Sequence, residues 1–222
     1  MSYAHRFATA APCRLPPGKV VCVGLNYAAH VAEMGSAPAA EPVLFIKPVT
    51  ALRPFAGTIA VPVDRGACHF ETELALLIGA PLRDCDAATA AVAVAGVGLA
   101  LDLTLRDLQK KLKQAGHPWE RAKGFDGACP VSEFVAPERV GDLQNLEFQL
   151  HQNGVLRQHG RTATMLTPVV ELLCYMSRWF TLEPGDIVLT GTPEGVGPLA
   201  PGDRLVAELG TLLRAEAEVV AR

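Results

Sequence analysis

Charge is scarce in this sequence, and long apolar runs are missing. Only 19% of the 222 residues are charged while 50% are hydrophobic; soluble domains average about 25% charged. Hydrophobic content this high excludes a disordered chain. The most apolar window, Ala87 to Leu101, is rich in Ala and Gly and ends at Asp102, well short of what a membrane-spanning helix needs, so no contact with a membrane is expected. The opening MSYAHRFATAAPCRLPPGK lacks the basic start and Leu-rich core of a secretory signal and reads as an arm over residues 1–17. A net charge of −3 gives no electrostatic case for nucleic acid.

Some chemistry is excluded the same way. The six cysteines, at 13, 22, 68, 85, 129 and 174, form no C-x-x-C pair and no Cys/His zinc spacing. A reduced, cytoplasmic protein fits best, with Cys22 and Cys174, both inside apolar runs, expected as buried free thiols. There is no G-x-x-x-x-G-K-[ST] phosphate loop and no G-x-S-x-G elbow, which disfavours phosphate-loop and serine-hydrolase chemistry.

What the sequence has in quantity is turn punctuation: 20 glycines and 17 prolines. They cut it into short segments. Strands are expected at Lys19–Leu25, Val43–Ile46, Thr58–Val61, His69–Ile78, Val97–Leu103, Gly185–Thr190, Arg204–Leu209 and Leu212–Val219. Glu147–His151 and Val155–Gln158 flank Asn153-Gly154, a strong hairpin signal. Helices are expected from an Asn26 cap to Met34, stopped by Gly35, over Asp86–Val94, from a Thr104 cap over Leu105–Ala115, and from Thr167-Pro168 to Phe180. No regular βαβ alternation and no repeat appear. The expected fold is α+β, mainly β, with residues 18–222 as one domain.

The few charged residues are unevenly placed. Glu71 and Glu73 lie two apart in an expected strand, hence on one face, and Asp102 closes the next apolar run. Adjacent carboxylates repel each other unless solvated or shared by a cation. If the two strands are neighbours, the three acids form an all-oxygen site suited to Mg²⁺ or Mn²⁺. The other reading is a solvent-facing E-x-E on an edge strand, with Asp102 capping a helix. His30 and Glu33, three apart on a short helix, are either a general base with its orienting carboxylate or a surface ion pair. The loop-like Gly35–Ala40 beside them has the makings of a lid. Lys123 sits before a Gly-bounded loop. Arg106 and Gln109 share a helix face, and Lys110, Lys111 and Lys113 read as the solvated side of that helix. Thr190-Gly191-Thr192-Pro193, with Gly195 and Gly197, is a tight loop able to present backbone N–H groups.

Six blocks, in order, resemble the fumarylacetoacetate hydrolase family: VGLNYAAHVAEM (23–34), EPVLFIKP (41–48), HFETEL (69–74), LDLTLRDLQ (101–109), WERAKGFD (119–126) and GDIVLTGTPEGVGP (185–198). The length is similar to that of small members acting as acylpyruvate hydrolases and oxaloacetate decarboxylases. The resemblance implies a mixed β-sandwich-like roll with short flanking helices, assembled as a homodimer. It implies Mg²⁺ or Mn²⁺ on Glu71, Glu73 and Asp102, a water-activating pair in His30 and Glu33, and Lys123 as the cation facing the substrate. Arg106, Gln109 and Thr192 would line the pocket for a small 2-oxo acid. Thr72 departs from the pattern, since an apolar residue is frequent there. Hydrolysis of the C3–C4 bond of a 2,4-dioxo acid is the first expectation and decarboxylation of oxaloacetate the second. Isomerisation or decarboxylation of hydroxymuconate-type diacids, or a non-catalytic acid-binding module, are the rivals.

Overall fold

The computed structural model describes residues 3–9, 12–35 and 39–222. Ser36, Ala37 and Pro38, in the expected lid, lie outside them. The chain is mostly β, built around a seven-stranded mixed sheet. Its spatial order is Val43–Lys47, Val20–Gly24, Ile187–Leu189, Thr72–Ile78, Val94–Leu101, Cys129–Val131 and Leu52–Pro54. A five-stranded sheet (Val155–Arg161, Glu147–Gln152, Arg204–Leu209, Leu213–Ala221, Gly57–Val61) packs one side of it, and a three-stranded sheet joins Gly197–Pro198, Cys68–Phe70 and Thr104–Leu105. All seven residues of Thr72–Ile78 are buried. A strand covered on both faces needs an unbroken apolar run, which Leu74–Ile78 supplies. Helices Ala87–Val92 and Val169–Trp179 pack together, the first also against Val94–Leu101. Among the described residues no helix is long and apolar enough to cross a membrane.

Several boundaries differ from the sequence reading, each for a local reason. The first strand stops at Gly24 because Leu25 is left-handed (φ 63), a costly conformation for a residue with a Cβ. Asn26 does not cap the helix Ala28–Glu33. Its side chain instead accepts from Thr167 N–H at 2.7 Å and donates to the carbonyls of Thr167 and Thr190. Thr104 is no cap either: it is a strand residue whose hydroxyl donates to Asp102 O, and the helix begins at Arg106. Pro168 precedes the helix Val169–Trp179 instead of opening it. The hairpin is as expected, with Asn153 (φ 54) and Gly154 (φ 78) both left-handed, as a type I′ turn requires. All six cysteines are free; Cys22 is buried, but Cys174 is only half-buried.

The expected strand His69–Ile78 is two strands. Cys68–Phe70 pairs in the small sheet and Thr72–Ile78 in the large one, so the chain changes sheets at Glu71. Its neighbour does the same: Val94–Leu101 belongs to the large sheet, Thr104–Leu105 to the small one, and Asp102 lies between. Asp102 N–H donates to Glu71 O at 2.8 Å, joining the two crossing points.

Candidate active site

Where the two strands step between sheets, Glu71, Glu73 and Asp102 bring one carboxylate oxygen each to within 4.8 Å of one another. All three are buried, at 5%, 1% and 1% exposure, which removes the solvent-facing reading of E-x-E. Only Glu73 lies within a strand; Glu71 and Asp102 are brought together by the double crossing.

Three buried negative charges need compensation, and the structure supplies it to Glu71 and Asp102. Lys123 Nζ bridges Glu71 Oε2 (2.7 Å) and Asp102 Oδ2 (2.5 Å). Arg106 pairs with the other oxygen of Glu71. Lys47, fully buried, lies 2.7 Å from Asp102 Oδ1, yet outside hydrogen-bond geometry, so that oxygen has no hydrogen-bond partner among the described residues. Glu73 Oε2 accepts from the Gly191 amide at 2.5 Å. Burial pushes Glu71 up, but Lys123 and Arg106 outweigh it and hold its carboxyl below the usual range. Burial, reinforced by Asp102 and Glu71, drives Glu73 well above that range. Burial works to lower Lys123, but Asp102 and Glu71 keep its ammonium raised.

An ionised Glu73 therefore calls for more positive charge than the side chains give it. Three convergent carboxylates, one with an oxygen lacking a hydrogen bond, form the hard oxygen donor set that Mg²⁺ and Mn²⁺ favour. The residues present fit such an ion.

Glu71 and Glu73 open onto a cavity of about 380 Å³, also lined by His30, Glu33, Arg106, Gln109, Lys123 and Thr192. Asp102 lies behind this wall and does not line it. His30 Nδ1 meets Glu33 Oε2 at 3.0 Å, and Glu33 Oε1 accepts from the Gly195 amide at 3.0 Å. Glu33 thus ties the short helix to the Gly-rich loop. A carboxylate on Nδ1 favours the tautomer with hydrogen there, leaving Nε2 as the basic nitrogen. His30 is 5% exposed, which is not the setting of a surface ion pair. Arg106 Nη1 donates to Gln109 Oε1 at 2.8 Å, fixing both on the cavity wall. The Thr192 hydroxyl donates to Thr72 O at 2.9 Å and accepts from Gln158, so its first commitments are to the protein.

Sequence reasoning missed part of this wall. Lys110 and Lys113 line the cavity, so that side of their helix is more than a solvated face. Phe45 and Trp119 supply its aromatic surface, with rings 6.1 Å apart and Lys123 Nζ 5.0 Å from the Phe45 centroid. Lys47 ended an apolar strand motif, and nothing in that spacing pointed to Asp102.

A family model described as fumarylacetoacetate (FAA) hydrolase, C-terminal, matches residues 19–220. The oxaloacetate tautomerase YcgM of Escherichia coli (strain K12) is 55% identical over 204 residues, covering 91% of this chain and 93% of that protein. The mitochondrial oxaloacetate tautomerase FAHD1 of Bos taurus is 46% identical over 194 residues, 87% and 88% of the two chains. The fumarylpyruvate hydrolase of Pseudomonas aeruginosa, solved in complex with Mn²⁺ and pyruvate, superposes with a TM-score of 0.93 at 35% identity, over 100% of this chain and 97% of that one.

Proposed function

This chain belongs to the fumarylacetoacetate hydrolase family, and from that premise we propose that it is a divalent-metal-dependent enzyme of small 2-oxo acids that interconverts the enol and keto forms of oxaloacetate. The observation that carries the reading is the His30–Glu33 hydrogen bond opening onto the same cavity as Glu71 and Glu73. Oxaloacetate is preferred because the tautomerases above share about half of this sequence.

Glu71, Glu73 and Asp102 would hold the ion. Once bound, a divalent cation supplies Lewis acidity toward the carboxylate and keto oxygens of a 2-oxo acid. The protein's own residues do the rest. Nε2 of His30 takes the proton from C3 of the keto form and delivers it to the C2 oxygen to give the enol; in the reverse direction it takes the enol hydroxyl proton and returns it to C3. Glu33, held by the Gly195 amide, orients the imidazole and stabilises it when protonated. Lys123 and Arg106 offset the charge that develops on the C2 oxygen. Phe45 and Trp119 restrict water, which strengthens each of these electrostatic terms.

A second reading is hydrolysis of acylpyruvates, supported by the likeness to a fumarylpyruvate hydrolase that holds Mn²⁺ and pyruvate. There Nε2 of His30 would deprotonate the water that attacks C4, and the C3–C4 bond would break to give pyruvate and a carboxylic acid. Decarboxylation of oxaloacetate needs no such water. The assignment of residues, the homodimer and a cytoplasmic location belong to the same proposal. Ultraviolet absorbance of enol-oxaloacetate, pyruvate release from oxaloacetate and pyruvate release from acetylpyruvate separate the three reactions. The tautomerase reading expects Mg²⁺-dependent loss of enol absorbance far faster than pyruvate release; pyruvate formation matching or outrunning enol loss would overturn it.

A further inference from the structure

The ladder between Ile187–Leu189 and Thr72–Ile78 ends at the pair Leu189–Ala75. Thr72 lies beyond it, with no strand among the described residues beside it on that side, yet it is fully buried. Its backbone groups must be satisfied some other way. Gln158 Oε1 accepts from Thr72 N–H at 2.8 Å, and the Thr192 hydroxyl donates to Thr72 O at 2.9 Å. Gln158 Nε2 then donates to Thr192 Oγ1 at 2.8 Å and to Pro193 O at 2.9 Å.

Gln158 comes from strand Val155–Arg161 of the five-stranded sheet, is 1% exposed, and has both ends of its amide engaged. One end holds the residue between Glu71 and Glu73. The other holds the start of the loop whose Gly195 amide binds Glu33. We propose that Gln158 is a positioning residue that sets the carboxylate cluster and the Glu33-binding loop in one register. The assignment rests on the reading of the cluster as a metal site. A side chain that only satisfied buried backbone would matter for stability alone; this one acts on the spacing of two ligands.

The test is titration of Mn²⁺ into the metal-free full-length protein, with free Mn²⁺ followed by electron paramagnetic resonance and Tm measured in parallel. Gln158→Met keeps the volume and removes all three hydrogen bonds. It is expected to weaken Mn²⁺ binding about tenfold or more, as removal of an orienting partner does at metal sites. Phe148→Leu, in the core under the same hairpin, is the stability control: its Tm should fall while Mn²⁺ affinity stays within about twofold. Gln158→Glu, which keeps an acceptor for Thr72 N–H, is expected to fall between wild type and Gln158→Met, and serves alone if the latter does not fold. Wild-type Mn²⁺ affinity in the folded Gln158 variant, or an equal loss in Phe148→Leu, overturns the positioning role and leaves the metal reading standing. Wild-type protein that takes up no Mn²⁺ overturns both.

Discussion

The two halves of the cavity are built on opposite principles. The carboxylate half stands on buried strands, at a crossing braced by the Asp102–Glu71 backbone bond and by three basic side chains. The half that carries His30 and Glu33 stands on a six-residue helix with no side-chain cap, followed by left-handed Gly35. An isolated helix that short is not stable in water. It is placed by long-range ties: Asn26 to Thr167 and Thr190, and Glu33 to Gly195. Ligands for an ion need fixed spacing, whereas a base that meets a substrate gains from a segment that can give way to it.

The sharpest break is at the rigid half. Asp102→Ala removes one of the three proposed ligands and leaves the Lys47 and Lys123 ammoniums facing a lost charge. Metal-dependent turnover should fall on the order of 10³-fold or more for every reaction of the site; a variant that keeps full activity in EDTA would sink the metal assignment. At the other half, His30→Ala should cost about 10²- to 10⁴-fold in tautomerisation or hydrolysis, the range of general acid–base catalysis. Mn²⁺ affinity and much of any decarboxylation should survive. Equal loss of all three reactions would erase the distinction between the halves.

Gly195→Ala probes the tie itself. Gly195 has φ +91, and a Cβ there would lie 1.9 Å from Arg157 O. The loop must shift, Glu33 loses its amide, and kcat should drop about tenfold, while Mn²⁺ affinity falls less than in Gln158→Met because the Gln158 amide is kept. A loss of Mn²⁺ affinity as large as that of Gln158→Met would mean that the loop serves the carboxylates first. The smallest effect has the opposite sign. The Thr72 hydroxyl is buried without a partner among the described residues, so Thr72→Val should stabilise the carboxylate half by about 1 kcal/mol, read as a Tm rise of about 2–4 °C. A lower Tm would show that the hydroxyl is satisfied in solution.

Legibility follows the same division. Hairpin, central strands and helix faces carry local signals: Asn153-Gly154, the run Thr72–Ile78, and the three-residue spacings of His30 with Glu33 and of Arg106 with Gln109. The family resemblance and these spacings together named nine residues, eight of which line one cavity, with Asp102 just behind. What stayed hidden depends on contacts between distant segments. The change of sheet at Glu71 is decided by partners at Gly197 and Thr104; the role of Asn26 by residues more than 140 positions away. Gln158 sits in VLRQHGR, a strand with an exposed, polar look, and period-two reading cannot tell which sheet edge one buried glutamine will meet.

The cluster's ion pairs also bear on how the protein reaches its fold. Glu71 and Asp102 face Lys47, Lys123 and Arg106, and burial favours the protonated form of Glu73, so the burial of the acids is met before any ion arrives. Folding is then not conditional on metal, in contrast to small zinc domains that unfold when stripped. Chelation should silence the enzyme and leave it native, with Tm lowered only by the ligand-linkage amount set by metal concentration over Kd. If the proposed ion binds, it meets a site that is already folded.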